Sequence, residues 1–217
     1  MKKVITEKQV LEASKTTKIV ELPDKHTLIT PLAKDTAKLK GVTFQIKNQQ
    51  STSISPVIQK TTDLKPGGKT VAIGSDHGGF SYKTELIPFL KELGFSVIDV
   101  GCNSEASVDY PDFAYAVGRS VQSGKAEFGI MIDGAGIGSA MVCNKIPGIL
   151  AACCYNEFTA KNAREHNHAN ILTLGSKSLG IEVCKAISKI FLSTAADQGR
   201  HLTRVTKIKE IEAKFSK

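Results

Sequence analysis

Residues 128–138, with the sequence FGIMIDGAGIG, decide the fold class of this 217-residue chain. The run at 128–132 is apolar apart from one glycine and predicts a buried β-strand. It ends at Asp133, after which glycines at alternate positions predict a tight turn into a helix. A buried strand that leads through such a turn into a helix is typical of a parallel sheet covered by helices.

The flanking sequence continues this alternation of apolar runs and amphipathic segments. Four more runs predict strands at 71–74, 95–100, 150–154 and 171–174. Helical segments are predicted at 80–93, 111–123, 157–166, 180–193 and 204–215. Pro88 predicts a kink or a late start in the first of these helices. Together the pattern predicts an α/β domain at 70–217, a doubly wound, Rossmann-like, parallel five-stranded sheet with flanking helices.

Residues 1–46 predict a small α/β extension ahead of this domain. A capping box that starts at Thr6 predicts a helix of two to three turns. Thr30 and Gly41 predict the start and the end of a second helix. Each helix is followed by a β-prone run, at 18–22 and at 42–46. No internal repeat is evident in the sequence.

The stretch 47–69 is rich in Gln, Ser, Thr, Lys, Pro and Gly and predicts a flexible linker. The net charge of +8 belongs mostly to the first third of the chain. Residues 1–70 contain 13 lysines and 6 acidic residues, whereas 71–217 contain 16 lysines and arginines and 15 acidic residues. The basic third lacks arginine and has Phe44 as its only aromatic residue, so no nucleic-acid partner is expected.

The chain has no features of a membrane or secreted protein. No apolar run approaches about 18 residues, so we expect no membrane partner. The first residues lack the apolar core of a secretion signal, which predicts a cytoplasmic protein. The cysteines form no C-x-x-C pair and are expected to be reduced and mostly buried: Cys102, Cys143, Cys153, Cys154 and Cys184.

Candidate site residues follow two of the predicted strands. In parallel sheets ligands bind beyond the carboxyl ends of the strands. Asp76 and His77 follow the first strand of the domain and suit a hydroxylated ligand. The segment 133–138 can bind a phosphate or a developing oxyanion through its backbone N–H groups. Its G-x-G-x-G spacing differs from the dinucleotide motif G-x-G-x-x-G.

Two further segments carry cationic side chains. A histidine from 164–170 is expected to reach the mouth of the same crevice, with His168 on the surface. Two histidines at i, i+2 are a poor zinc pair, so we predict no metal. Arg200 and Arg204 lie four positions apart and can form a fork for a phosphate.

Six segments in order resemble the ribose-5-phosphate isomerase B / galactose-6-phosphate isomerase family. They are GSDHGGF (74–80), DYPDFA (109–114), GAGIG (134–138), NKIPGILAA (144–152), FTAKNAREHNHAN (158–170) and GRHLTRV (199–205). The resemblance implies aldose–ketose isomerisation of a sugar phosphate through a cis-enediolate, without a metal or organic cofactor. It also implies a homodimer, or a tetramer of paired dimers, with active sites shared between chains.

The resemblance implies a role for each matching residue. Asp76 and His77 contact the sugar, and Tyr110 lines the site. His166 helps to open the sugar ring, and Asn167 holds a hydroxyl. Backbone amides of the loop stabilise the enediolate, at Gly134, Ala135, Gly136 and Gly138. Phosphate is bound by Arg200, His201 and Arg204.

The chain departs from the family at the base that moves the proton. Many members have a cysteine where this chain has Asp133, and a threonine at the position of Ala135. Another branch has a glutamate at the position of Ser139. We predict that Asp133 is the base, although an ordinary aspartate is weaker than a cysteine thiolate by about 6 kcal/mol.

Three alternatives stay open from the sequence. The chain can be an isomerase of a hexose 6-phosphate, or a non-catalytic sugar-phosphate-binding or scaffold protein that has lost turnover. It can also be a dinucleotide-dependent oxidoreductase, for which Glu157 would have to bind the ribose.

The extension resembles N-terminal segments of enzymes associated with bacterial microcompartments. The resemblance lies in LPDKHTLITPLAKDTAKLKGV, residues 22–42. It implies that residues 1–46 are a docking or targeting segment for a shell or enzyme partner, so the protein is expected in the cytoplasm or inside a microcompartment.

Overall fold

The computed structural model describes residues 4–24, 27–46 and 69–215, and the chain divides into two compact units at residue 67. Almost all of the predicted linker at 47–69 lies outside the described residues. In the described ranges, no helix is both long and apolar enough to cross a bilayer.

The N-terminal unit consists of two successive β-α-β segments. Its elements are β1 (Val4–Ile5), α1 (Glu7–Ser14), β2 (Ile19–Leu22), β3 (Leu28–Ile29), α2 (Pro31–Lys40) and β4 (Thr43–Ile46). Strand β1 pairs with β3 and β2 pairs with β4, both in parallel. Ile5 pairs with Ile29 and Val20 with Phe44, so both pairs join residues 24 positions apart. The order of elements therefore repeats in this unit, although no internal repeat is evident in its sequence.

The predicted helix ends of this unit are present. Thr30 Oγ1 accepts a hydrogen bond from the Ala33 N–H at 3.2 Å, and Gly41 ends α2 with φ 65°. Thr36 Oγ1 donates to Glu7 Oε1 at 2.9 Å and joins the two helices. Six buried apolar residues form a small core of its own: Ile5, Val10, Val20, Ala33, Ala37 and Val42.

The C-terminal unit is a five-stranded parallel sheet in the order β6-β5-β7-β9-β8. Its strands are β5 (Thr70–Ser75), β6 (Ser96–Asp99), β7 (Phe128–Asp133), β8 (Ala151–Cys153) and β9 (Ile171–Gly175). Its helices are α3 (Phe80–Glu92), α4 (Tyr110–Gln122), α5 (Ile137–Cys143), α6 (Glu157–Glu165), α7 (Ile181–Ser193) and α8 (Arg200–Phe215). The predicted fold class is confirmed.

One helix boundary differs from the prediction in a way that affects the site. Helix α8 begins at Arg200, four residues before the predicted start. The apolar pattern that predicted the helix begins at Val205, but Thr203 N–H already donates to Gly199 O at 3.2 Å. Arg200 and His201 therefore lie in the first turn of α8.

Both faces of the sheet are covered, which is the property of a doubly wound fold. One face packs Ile73, Ile130 and Leu172 against apolar residues of α3, α6 and α7. The other packs Met131 and Ile171 against α4 and α5. The central strands β5, β7 and β9 are consequently buried along nearly their whole length.

The parallel arrangement gives the sheet two chemically different edges. We call them the carboxyl edge and the amino edge, after the ends of the strands that form them. Helix α6 starts after the carboxyl end of β8 and returns to the amino end of β9. Asn170 O accepts from the Gly129 N–H at the start of β7 at 3.0 Å, so residues 166–170 lie at the amino edge.

Candidate active site

Asp76 follows β5 at the carboxyl edge and is 8% exposed. Its Oδ1 accepts a hydrogen bond from the Gly79 N–H at 2.9 Å, directly before α3. Its own N–H donates to Ile132 O at 3.1 Å, which ties it to the end of β7. The carboxylate is thus held in place at the point where the two central strands end.

His77 and Tyr110 flank the same edge. His77 Nδ1 lies 3.3 Å from the Val108 N and 3.2 Å from the Val108 O. Tyr110 opens α4, and its ring lies against the glycine-rich loop. A Cβ atom on Gly138 would lie 2.7 Å from Tyr110 Cζ, so the close approach of ring and loop requires a glycine there.

Asp133 closes β7 and is 5% exposed. Its Oδ1 accepts from the N–H groups of Ala135, at 2.8 Å, and Gly136. Its Oδ2 accepts from the Ser139 N–H at 3.2 Å and from the Ser139 hydroxyl. Four donors therefore occupy the four lone-pair positions of this carboxylate.

These bonds change what the glycine-rich loop can offer to a ligand. The amides of Ala135 and Gly136 point at Asp133, not at an external oxyanion. The first N–H groups of α5, at Ile137 and Gly138, have no acceptor within their helix and can meet a ligand oxygen. Among the amides predicted to stabilise an oxyanion, those of Ala135 and Gly136 are therefore engaged by Asp133, and that of Gly138 can still meet a ligand.

The sequence interpretation missed a hydroxyl that joins the two loops of this edge. Ser176 follows β9, and its hydroxyl lies 2.8 Å from Gly78 O and 3.0 Å from Asp133 O. It can donate to either carbonyl, so it holds the loop after β5 against the end of β7. Its position after a central strand is the signal that could have identified it.

Cys153 and Tyr155 lie on another side of the glycine-rich loop. Tyr155 Oη donates to Ala135 O at 3.4 Å, and Cys153 Sγ lies 3.6 Å from the same oxygen. A hydrogen bond to Cys153, together with burial and electrostatic interaction with Cys153 and Asp133, raises the pKa of Tyr155 to about 12. The phenol therefore remains a hydrogen-bond donor at neutral pH.

The histidine and arginine candidates form a second cluster, at the amino edge. The rings of His166 and His201 stack with centroids 3.9 Å apart and planes inclined by 4°. Arg200 Nε donates to His201 Nε2 at 3.3 Å, and Asn162 Nδ2 lies 2.8 Å from His166 Nδ1. Arg204 follows Arg200 one turn later along α8, and both are exposed.

Burial is the main influence on His201, which is 6% exposed. Desolvation lowers its pKa, and the positive charges of His166, Arg200 and Arg204 lower it further, while Asp197 acts in the opposite direction. His201 therefore prefers the neutral form, in which it can accept the hydrogen bond from Arg200.

Two expectations for the segment 164–170 are wrong within one chain. His166 does not reach the crevice of Asp76 and Asp133, because α6 carries it back to the amino edge. His168 is half-buried, not on the surface, and its Nε2 lies 2.6 Å from Asp197 O. Asn167 is exposed beside them.

The site residues thus fall into two half-sites at opposite edges of the sheet. The carboxyl-edge half-site holds Asp76, His77, Tyr110, Asp133, Gly134, Ala135, Gly136 and Gly138. The amino-edge half-site holds His166, Asn167, Arg200, His201 and Arg204. In the part of the chain that the structure describes, no group of three or more His, Cys, Asp or Glu side chains could hold a metal ion.

Comparison with known proteins places residues 71–208 in the ribose/galactose isomerase family. The chain matches the solved structure of ribose-5-phosphate isomerase B from Clostridium thermocellum with 48% identity and a TM-score of 0.67, over 68% of this chain and 99% of that one. It is 40% identical over 144 residues to ribose-5-phosphate isomerase B of Escherichia coli strain K12, which covers 66% of this chain and 97% of the relative. It is 33% identical over 140 residues to D-erythrulose-4-phosphate isomerase of Pectobacterium atrosepticum, over 64% of this chain and 92% of the relative.

The family match ends at Ile208 and covers both half-sites and the five-stranded sheet apart from Thr70, the first residue of β5. The alternative of a dinucleotide-dependent oxidoreductase receives no support, because the matching family is one of isomerases. The chain therefore belongs to the ribose/galactose isomerase family and is a sugar-phosphate isomerase.

Proposed function

We propose that the chain interconverts ribose 5-phosphate and ribulose 5-phosphate through a cis-enediolate. The observation that carries the proposal is the buried carboxylate of Asp133 at the end of a central strand, beneath a loop that can receive an anion. Two of the relatives described above are named ribose-5-phosphate isomerase B, which favours this substrate.

In the proposed mechanism Asp133 is the base. It takes the proton from C2 of the open-chain aldose, and the electrons of the broken C–H bond form the enediolate. The same proton then returns to C1, while a second proton moves from the C2 hydroxyl to the C1 oxygen. The N–H groups at the start of α5 stabilise the negative charge. These proton transfers conserve all atoms and electrons of the sugar, so the isomerisation needs no oxidant, metal or organic cofactor.

The other carboxyl-edge residues hold the sugar. Asp76 and His77 are placed to contact its hydroxyl groups, and Tyr110 covers the loop from the side of α4. The amino-edge half-site supplies complementary chemistry. Arg200, His201 and Arg204 bind the phosphate, while His166 opens the sugar ring and Asn167 holds a hydroxyl.

We also propose that two copies of the chain form a homodimer, or a tetramer of paired dimers, with shared active sites. The supporting observation is the distribution of the two half-sites over opposite edges of one sheet. A substrate at the carboxyl edge of one copy can meet phosphate ligands only from the amino edge of another copy. Helix α8 leaves Ile208, Ile211 and Phe215 exposed, as a helix that packs against a second copy would.

The test is an isomerase assay of the purified full chain with ribose 5-phosphate, alongside the Asp133→Asn variant. The variant keeps the shape of the side chain and removes the base, so we expect a loss of about 10²- to 10⁴-fold in kcat. The variant must still be folded at the assay temperature, because an amide NH2 group cannot accept all the hydrogen bonds that Asp133 receives. Full activity in the variant would refute the base assignment, whereas no turnover in the wild type would refute the substrate.

Two alternatives have specific support. The relative from Pectobacterium atrosepticum acts, by its name, on a different sugar phosphate, so hexose 6-phosphates and D-erythrulose 4-phosphate belong in the assay panel. The saturated hydrogen bonding of Asp133 favours a non-catalytic sugar-phosphate-binding or scaffold protein. Thermal stabilisation by several sugar phosphates, without conversion of any, would establish that alternative.

For the N-terminal unit we propose a docking role, with a bacterial microcompartment shell or an enclosed enzyme as the partner. The support is a small core separate from the isomerase unit. Removal of residues 1–46 should leave ribose 5-phosphate turnover unchanged and abolish co-purification with microcompartments. Retained co-purification of the truncated protein would exclude this role, whereas a full chain that does not co-purify would be free in the cytoplasm.

A further inference from the structure

The proposed base, Asp133, meets a buried hydroxyl in the fold. Asp133 lies at the end of β7, and Ser139 lies in the first turn of α5. Ser139 is completely buried and donates both its N–H and its hydroxyl to Asp133 Oδ2.

The four donors around Asp133 are not equivalent. Three of them are backbone N–H groups, which the glycine-rich loop and the start of α5 hold in place. The fourth is the Ser139 hydroxyl, which can turn about its Cα–Cβ bond. Only this donor can vacate a lone pair of the carboxylate without movement of the backbone.

A base with every lone pair occupied must lose a hydrogen bond when it takes up a proton. The free-energy cost of protonating the carboxylate then depends on the strength of the hydrogen bond that is lost. Hydrogen bonds to charged groups are among the stronger ones in proteins. The Ser139 hydroxyl is therefore in a position to set how readily the carboxylate accepts a proton from the sugar.

We propose that Ser139 is a positioning residue that holds Asp133 Oδ2 in place and tunes its strength as a base. The hydroxyl stabilises the ionised carboxylate in the resting enzyme and turns away as the proton arrives on Oδ2. This proposal rests on the proposed function of Asp133 as the base. The proton balance of the isomerisation is unchanged, because Ser139 neither gains nor loses a proton.

Two ionisable groups near Asp133 have pKa values far above the acid limb of the pH profile. Burial raises the pKa of Cys143, on α5, to about 12, and that of Tyr155, after β8, is also raised to about 12. Asp76 is bonded to the end of β7, and a Cβ atom on Gly134 would lie 3.6 Å from Lys177 Cδ. Neither side chain is changed in the variants compared below.

The experiment compares pH profiles of kcat/KM for ribose 5-phosphate between pH 4 and 9. In Ser139→Ala one hydrogen bond to the ionised carboxylate is lost, so the acid limb should move to higher pH by about one unit, a tenfold change in proton affinity. Ser139→Cys, a weaker donor, should move the limb in the same direction by less. Ser188→Ala is the matched control, because Ser188 is equally buried in α7 and its hydroxyl has no partner among the described residues.

A second measurement separates this inference from the proposed function. Carboxyl carbon NMR follows the titration of Asp133 directly, with its signal assigned by absence in Asp133→Asn. If the wild type has no turnover, the proposed function fails, yet the NMR titration still tests Ser139. Profiles and titrations of Ser139→Ala that superimpose on those of the wild type would overturn the inference.

Discussion

Gly136 is the residue at which backbone conformation and close packing constrain the glycine-rich loop together. Its φ is 80°, in the left-handed region. A Cβ atom there would lie 2.8 Å from Cys153 Sγ and 3.0 Å from the carbonyl carbon of Leu174. Its N–H also donates to Asp133, so any shift of this residue disturbs the proposed base.

We expect Gly136→Ala to lower the free energy of unfolding by about 2–5 kcal/mol, from left-handed strain and overpacking together. Activity should fall with it, because the loop must move. Gly148→Ala is the control, since Gly148 has φ 81° but no atom near its missing Cβ, and it should cost only about 1–2 kcal/mol. Urea unfolding measures both, and equal losses would show that the steric argument is wrong.

The pairing of two helix ends organises the amino edge. His166 follows the last turn of α6 and His201 lies in the first turn of α8, and their rings stack. The Asp197 N–H donates to Glu165 O at 2.8 Å and joins the same two elements. The orientation of the arginines on α8 that we propose to bind phosphate therefore depends on contacts with α6.

The lowered pKa of His201 predicts a pH-dependent stability for this arrangement. The unfolded chain binds a proton at His201 more readily than the folded chain does, so stability should fall as the pH drops below about 6.5. Between pH 7.5 and 5, the His201→Asn variant should lose less stability than the wild type. Urea midpoints at several pH values provide the measurement, and identical slopes for both proteins would contradict the assignment.

At the scale of the whole molecule, the separation of the half-sites predicts complementation between inactive variants. Asp133→Asn disables the carboxyl-edge half-site, and Arg200→Ala disables the amino-edge half-site. When the two variants are co-expressed, half of the dimers should be hybrids with one intact site of two, which restores about a quarter of wild-type activity.

The control for complementation pairs two variants from the same edge. Asp133→Asn with Asp76→Asn leaves each carboxyl-edge half-site damaged, so no recovery is expected beyond the activity of the separate variants. Recovery in the first mixture alone would support shared sites. If neither mixture recovers activity although mass spectrometry detects hybrid dimers, the proposal of shared active sites is refuted.

The sequence predicted the fold class because the apolar runs of buried parallel strands are local signals. The glycines at 134–138 and the acids after β5 and β7 could be assigned to the carboxyl edge for the same reason. The earlier start of α8 was missed, because Arg200 and His201 add polar residues to a helix whose apolar period begins at Val205.

The sequence by itself determined the succession of strands and helices along the chain, the residue types of the candidate site and the family to which the chain belongs. Only the tertiary structure decided that Asp133 is bonded to Ser139 and that His166 stacks on His201 at the opposite edge. The physical reason is that each helix in a parallel sheet returns the chain to the other edge, so neighbours in a motif list need not be neighbours in space. The bond between Asp133 and Ser139 spans six positions and depends on the path of the loop between β7 and α5. The stack of His166 on His201 joins residues 35 positions apart and depends on how the helices pack on the sheet, so no single segment contains that information.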